Sequence, residues 1–202
     1  MNDNIWDSWE RFLKPENLKS NMVILSLFVT SYEILKDSII ERIRSFYTDG
    51  FDEKGWIINK EYQTKVIILN KSPVYASLEW LKNRKAIDEN DIKQFKEIKN
   101  CRNELVHGIV NFLTKGSNVN LINLFPKMVN LLDKIEKWWI LNVEIDLNPD
   151  LYDKEIDEKG IMPGPIIMLH VLMDIALGDE KESKFYYDNF KKTRKINSAE
   201  ND

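Results

Sequence analysis

Leu25, Phe28, Tyr32, Leu35, Ile39, Ile43 and Phe46 recur at spacings of three and four residues. A helix, completing a turn about every 3.6 residues, gathers such a series onto one side. The pattern predicts one long helix from about Asn17 or Ser20 to Tyr47, stopped by "TDG". Its first half, around "MVILSLFV", is apolar nearly all round and therefore needs neighbours on several sides. Those neighbours are expected to be helices too. Seven glycines, six prolines and few alternating Val-Thr runs leave little material for a sheet protein. The expected fold class is all-α, an irregular helical bundle in a single domain spanning 1–202.

Further helices are expected from about Glu61 to Asn70, although "KVIIL" reads equally as a strand, and then over "PVYASLEWLKNRKAI", opened by Pro73. Asp88 is the expected N-cap of a helix from Glu89 to His107, with Asp91 in its first turn. "DGFDEKGW" and "EIDLNPDLYDKEIDEKG" read as loops and "TKGSN" as a turn. A long helix to about Val143 follows, started or kinked by Pro126. "PGPIIMLHVLMDIAL" reads as a helix opened by Pro165, "ESKFYYDNFKKTRK" as a shorter one, and "INSAEND" as a frayed end.

The net charge of −4 excludes a molecule that binds polyanions over its whole surface, so nucleic-acid contact requires a local basic patch. Cys101 is the single cysteine, which excludes an intramolecular disulfide and a cysteine-based zinc site. No basic-then-apolar leader is expected at "MNDNIWDSWERF", and the most apolar run, "MVILSLFV", is eight residues against the roughly twenty of a membrane span. The expected location is the cytoplasm, with no membrane contact.

The helix expected from Glu89 to His107 carries an anomaly. On a wheel of about 100° per residue centred on Arg102, Phe95, Ile98, Leu105 and Val106 fall within roughly 60°. Arg102 thus stands near the middle of an apolar stripe. Asn103 lies about 100° round and His107 about 140°, with Lys96 and Asn100 on the same polar side. Asn103 and His107 are an i, i+4 pair whose side chains can meet. A charge in an apolar stripe is costly unless it is paired or faces a cleft. Two readings follow: a structural ion pair with Glu33 or Asp37, or an open cleft lined by Arg102, the outcome expected here.

"RNELVH", residues 102 to 107, resembles the Arg-x4-6-His signature of the HEPN family, and Asn103 matches the polar residue that commonly follows the arginine. The wider run "ASLEWLKNRKAIDENDIKQFKEIKNCRNELVHGIV" is similar as well. The resemblance implies a HEPN-like core over about 16–145 and a helical extension over about 160–195. It also implies a metal-independent endoribonuclease, of the kind found among toxins and antiviral defence effectors, with RNA as substrate and no cofactor. Arg102 and His107 would be the catalytic pair and Asn103 a positioning group. Lys96, Lys99 and Asn100, beside the motif, would contact RNA. The implied assembly is a homodimer with two motifs facing one cleft, controlled by an antitoxin or other regulatory protein. Gly108 and Ile109 occupy the place of the tyrosine that some HEPN toxins present for adenylylation, so that form of control is not implied. The competing class is a non-catalytic interaction module in which Arg102 and His107 are structural.

Other residues receive plainer readings. His170 is expected in the core or on a helix surface, and Cys101 as a small buried hydrophobe. At least one of Trp138 and Trp139 is expected in the core. Asp146, Asn148 and Asp150 begin like a calcium loop, but Pro149 and the absent sixth-position glycine spoil it. Lys191, Lys192, Arg194 and Lys195 form a basic segment near the C-terminus.

Overall fold

The computed structural model describes residues 3–115, 121–149 and 156–199. Among them, nine helices and one two-stranded hairpin make an all-α fold. The order is α1 (Asp3–Leu13), α2 (Pro15–Phe46), β1 (Thr48–Asp52), β2 (Gly55–Ile58), α3 (Lys60–Lys65), α4 (Pro73–Asn83), α5 (Glu89–His107), α6 (Ile109–Lys115), α7 (Leu121–Trp139), α8 (Gly164–Leu177) and α9 (Glu180–Ala199).

Helix α2 is the axis of the bundle. Phe28, Leu35, Ile39 and Ile43 are fully buried along it, and α4, α5, α7 and α8 pack around it. Phe95 and Ile98 of α5 meet Met128, Leu132 and Ile135 of α7 in the same core. At its lower end an aromatic cluster closes the bundle. Trp80 and Trp139 stack at 5.8 Å, and the Trp80 indole donates to the Tyr47 hydroxyl at 3.2 Å. Trp139 is buried and Trp138 packs beside it. Ile166 and Leu169 of α8 join the core, so the C-terminal extension docks on the bundle through α8.

Helix α5 starts where the sequence places it. The Asp91 N–H donates to the Asp88 carboxylate at 3.0 Å and the Asp88 N–H to the Asp91 carboxylate at 2.9 Å, a reciprocal capping box. It ends at His107, followed by Gly108.

Several expectations need correction. Residues 49–56, expected as a loop, belong to the β1–β2 hairpin, held by the edge-on cross-strand pair Phe51–Trp56 at 5.4 Å and by Gly55 at φ +115°. Residues 3–13, for which no element was expected, form α1, and α2 begins earlier, at Pro15. The helix expected over 61–70 stops at Lys65, and Ile67–Leu69 form a 3-10 turn. Pro126 lies inside α7, and the chain widens into a π-helical turn over Ile140–Glu144. Thr114 and Lys115 of the expected turn are helical in α6, and its remainder lies outside the described residues, as does Asp150. Helix α9 extends to Ala199, past the expected end at Lys195.

One polar contact ties α2 to α7. Glu136 of α7 is 0% exposed, and Arg42 of α2 donates to its two oxygens at 2.5 and 3.4 Å. The same guanidinium reaches Glu144 of the π turn at 2.7 Å. Removing one member of a buried pair strands the other charge, which costs roughly 3–5 kcal/mol. Arg42→Ala is expected to lose that much in urea melts, whereas Lys65→Ala, whose partner Glu61 is half exposed, should lose less than about 1 kcal/mol.

Candidate functional site at the end of α5

The wheel argument centred the apolar stripe of α5 on Arg102. The structure moves it. Val106 is 40% exposed, while Cys101, on the other flank, is buried with Phe95, Ile98 and Leu105. The buried arc therefore runs from Cys101 to Phe95, and Arg102 stands at its edge with 28% of its side chain exposed.

Of the two readings of Arg102, the ion pair is the one observed. Nη2 donates to Oε1 of Glu33 on α2 at 2.7 Å, and Nη1 donates to Oδ1 of Asn103 at 3.3 Å. The guanidinium lies 5.3 Å from the ring centre of Tyr32, which itself stacks on Phe95. Its Nε is buried without a hydrogen-bond partner. Asp37 is not the partner of Arg102; Lys36 completes the group by donating to Glu33 at 2.5 Å.

This pair differs from Arg42–Glu136 in its exposure. Glu33 keeps 34% of its side chain in solvent. Partial burial alone would raise its carboxyl pKa, but the hydrogen bonds from Lys36 and Arg102 outweigh it and hold the value below the ordinary 4.5. Burial raises the Tyr32 hydroxyl, an effect the nearby Arg102 charge only partly offsets. Tyr32 and Lys36 complete the surroundings of Arg102, and neither was singled out from sequence. Their i−1 and i+3 positions around Glu33 carried the signal once Glu33 was named as a partner.

His107 is exposed at the last position of α5, and its imidazole has no hydrogen bond among the described contacts. The i, i+4 approach of Asn103 and His107 is not a hydrogen bond here, because Asn103 turns to Arg102. Of the remaining expected RNA contacts, Lys96 and Asn100 are exposed, while Lys99 is half-buried with its ammonium 4.8 Å from the ring centre of Tyr75. All six residues thus lie on the last three turns of one helix. A hydrogen bond joins Arg102 to Asn103.

Cys101 is pushed up to about 11 by burial and then by the Glu104 charge, so its thiol stays protonated and is no nucleophile near neutral pH. No group of three or more His, Cys, Asp or Glu side chains among the described residues is arranged to hold a metal ion. No described helix is long and apolar enough to cross a membrane. His170 is on the surface of α8.

Compared with protein families, curated proteins and solved structures, the chain matches none.

Stability separates the two motif residues. Arg102→Ala removes a partly solvated pair and leaves Glu33 still bonded to Lys36, so the expected cost is about 1 kcal/mol, well below that at Arg42. His107→Ala, at an exposed position, should stay within about 0.5 kcal/mol. Glu33 is lowered in the folded state, so its contribution is complete above its unfolded value and disappears as pH falls through the folded one. The stability gap between wild type and Arg102→Ala should hold constant from neutrality down to about pH 5 and shrink below 4.5. Chemical melts across that range measure it.

Proposed function

We propose that the protein is a metal-independent endoribonuclease of HEPN type, acting as a toxin or antiviral defence effector and working at a site shared by two copies of the chain. The observation that carries this reading is the half-open guanidinium of Arg102, beside Asn103, with the free imidazole of His107 at the solvent-exposed end of the same helix. Arginine offers a planar fork of donors to a phosphate that gains charge in the transition state. Histidine exchanges protons near neutral pH and can take the ribose 2′-hydroxyl proton or protonate the leaving oxygen. The attacking 2′-oxygen closes on phosphorus as the 5′-oxygen departs, leaving a 2′,3′-cyclic phosphate.

Helix geometry supports a composite site. His107 stands five positions after Arg102, about 7.5 Å along the axis and 140° around it, so the two side chains diverge within one chain. A second copy can set its histidine opposite the first copy's arginine. Exposed Val106, Ile109 and Val110 flank His107, and α1, packed on α6, adds exposed Trp6, Trp9 and Leu13. Apolar side chains grouped in this way favour burial against a partner. A regulatory protein or antitoxin belongs to the same proposal.

The Arg102–Glu33 pair favours a second reading, in which the motif is structural and the chain is an interaction module. One set of measurements separates them. RNA cleavage is expected to persist in EDTA, to leave cyclic phosphate ends, and to vanish in His107→Ala with the melting curve unchanged. Light scattering should give a dimer at micromolar concentration. Intact cleavage in His107→Ala would eliminate the enzymatic assignment, and a monomer would eliminate the shared site.

A further inference from the structure

Lys36, Lys65, Lys82, Lys127, Lys137 and Lys184 each lie within 3.1 Å of a carboxylate. The second half of α9 instead concentrates cations with no acidic residue among them. Residues 189–199 contain Lys191, Lys192, Arg194 and Lys195 and no Asp or Glu, in a chain whose net charge is −4. No ion pair engages Lys191, Lys192 or Arg194 among the described contacts. Lys191 instead holds its ammonium 5.3 Å from the ring centre of Tyr187.

The same half-helix exposes aromatic surface. Tyr187 is 63% exposed and Phe190 62% exposed. On a wheel of about 100° per residue, Tyr187, Phe190, Lys191 and Arg194 fall within roughly 100° of one another, with Lys192 on the far shoulder. Helix α9 packs against α8, where Tyr186 donates to Asp174 at 2.7 Å and Ser183 donates to the carbonyls of Ile175 and Gly178. These bonds fix the first two turns of α9, and beyond them Tyr187, Phe190, Lys191 and Arg194 are exposed.

We infer that this face of α9 is a binding arm for single-stranded nucleic acid, with Lys191 and Arg194 on backbone phosphates and Tyr187 and Phe190 as stacking platforms for bases. Two properties select that occupant. Flat rings beside cations match a strand that alternates phosphates with unpaired bases, each of which has a face to stack. A helix lying on an anionic membrane segregates its cations from its apolar residues onto opposite faces. Here they share one arc. Helix α8, which carries α9, docks beside the part of α2 that precedes Glu33. Met173 and Leu177 of α8 line an apolar pocket with Ile24, Leu27 and Phe28 of α2, about one and a half turns before Glu33. The arm goes beyond the endoribonuclease reading and does not need cleavage, so its test is a binding measurement.

Fluorescence anisotropy of a labelled oligouridylate of about 12 nucleotides, titrated with the full-length His107→Ala protein, reads this arm without strand loss. The affinity should fall steeply with salt. Lys191→Glu/Arg194→Glu should weaken binding by about 10-fold or more near 0.1 M salt and flatten the log–log salt slope by about 1.4, or 0.7 per lost phosphate contact. Tyr187→Ala/Phe190→Ala should weaken it by about 10-fold and leave the slope unchanged. Lys191→Arg/Arg194→Lys should bind like the parent. Circular dichroism establishes that each variant keeps its helix content, and Lys191→Gln/Arg194→Gln replaces the charge reversal if that variant misfolds. Unchanged oligouridylate binding in the charge variants would overturn the inference. So would tighter binding of a blunt RNA duplex, or charge-dependent binding of phosphatidylserine vesicles or an acidic peptide with none of the oligonucleotide. Loss of cleavage alone, with this binding intact, would count only against the endoribonuclease proposal.

Discussion

The buried carboxylate of Glu136 sets conditions that much of the bundle has to meet. A fully buried negative charge is tolerated only with a partner in good geometry, and Arg42 supplies two of the bonds it needs. Because the partners stand on α2 and α7, the pair fixes how far one helix is slid along the other, which dispersion contacts between aliphatic side chains do loosely. Glu144 extends the constraint to the π turn that follows Trp139. The stacking of Trp80 on Trp139, one turn from Glu136, depends on the same register.

With α2 and α7 locked, the remaining helices find their places by apolar burial. Helix α5 packs against both, and Lys134 of α7 reaches the capping carboxylate Asp91 at 2.5 Å, tying the start of α5 to the same helix pair. Its last turns then lie beside α2 at Tyr32 and Glu33. The site's geometry is a consequence of this docking: Arg102 meets Glu33 because the cap and the core together fix the rotation of α5.

The elements with strong local signals were legible in the chain. The capping box at Asp88, the apolar period of α2 and the end of α5 at His107 each have a cause within a few residues. Others lacked one. The β1–β2 hairpin has five- and four-residue strands without alternation, and its stabilising pair, Phe51 and Trp56, is exposed. Helix α1 shows an apolar side but leaves it in solvent, so burial offered no guide. The place of Arg102 was misjudged by part of a turn, because a wheel treats Val106 as core when the end of α5 leaves it exposed. Glu136 was missed for a different reason. It stands four residues from Leu132 and three from Trp139, and the test that singled out Arg102 would have flagged it too.

The two arginine–glutamate pairs answer the question of what a charge at the margin of a core is for. Arg42 cannot leave Glu136 without stranding a carboxylate that water does not reach. Arg102 can leave Glu33 cheaply, since Glu33 is one-third exposed, retains Lys36, and belongs to the class of pairs worth at most about 1 kcal/mol. A phosphate arriving at the end of α5 would offer Arg102 a charge-assisted bond of the same kind as the carboxylate it replaces. The exchange trades like for like, and the cation–π contact with Tyr32 can hold the guanidinium in place while it happens. An ion pair at Arg102 is therefore compatible with a working site, provided the pair stays as solvated as this one. Were Glu33 as buried as Glu136, the arginine would be committed to the fold and unavailable for chemistry.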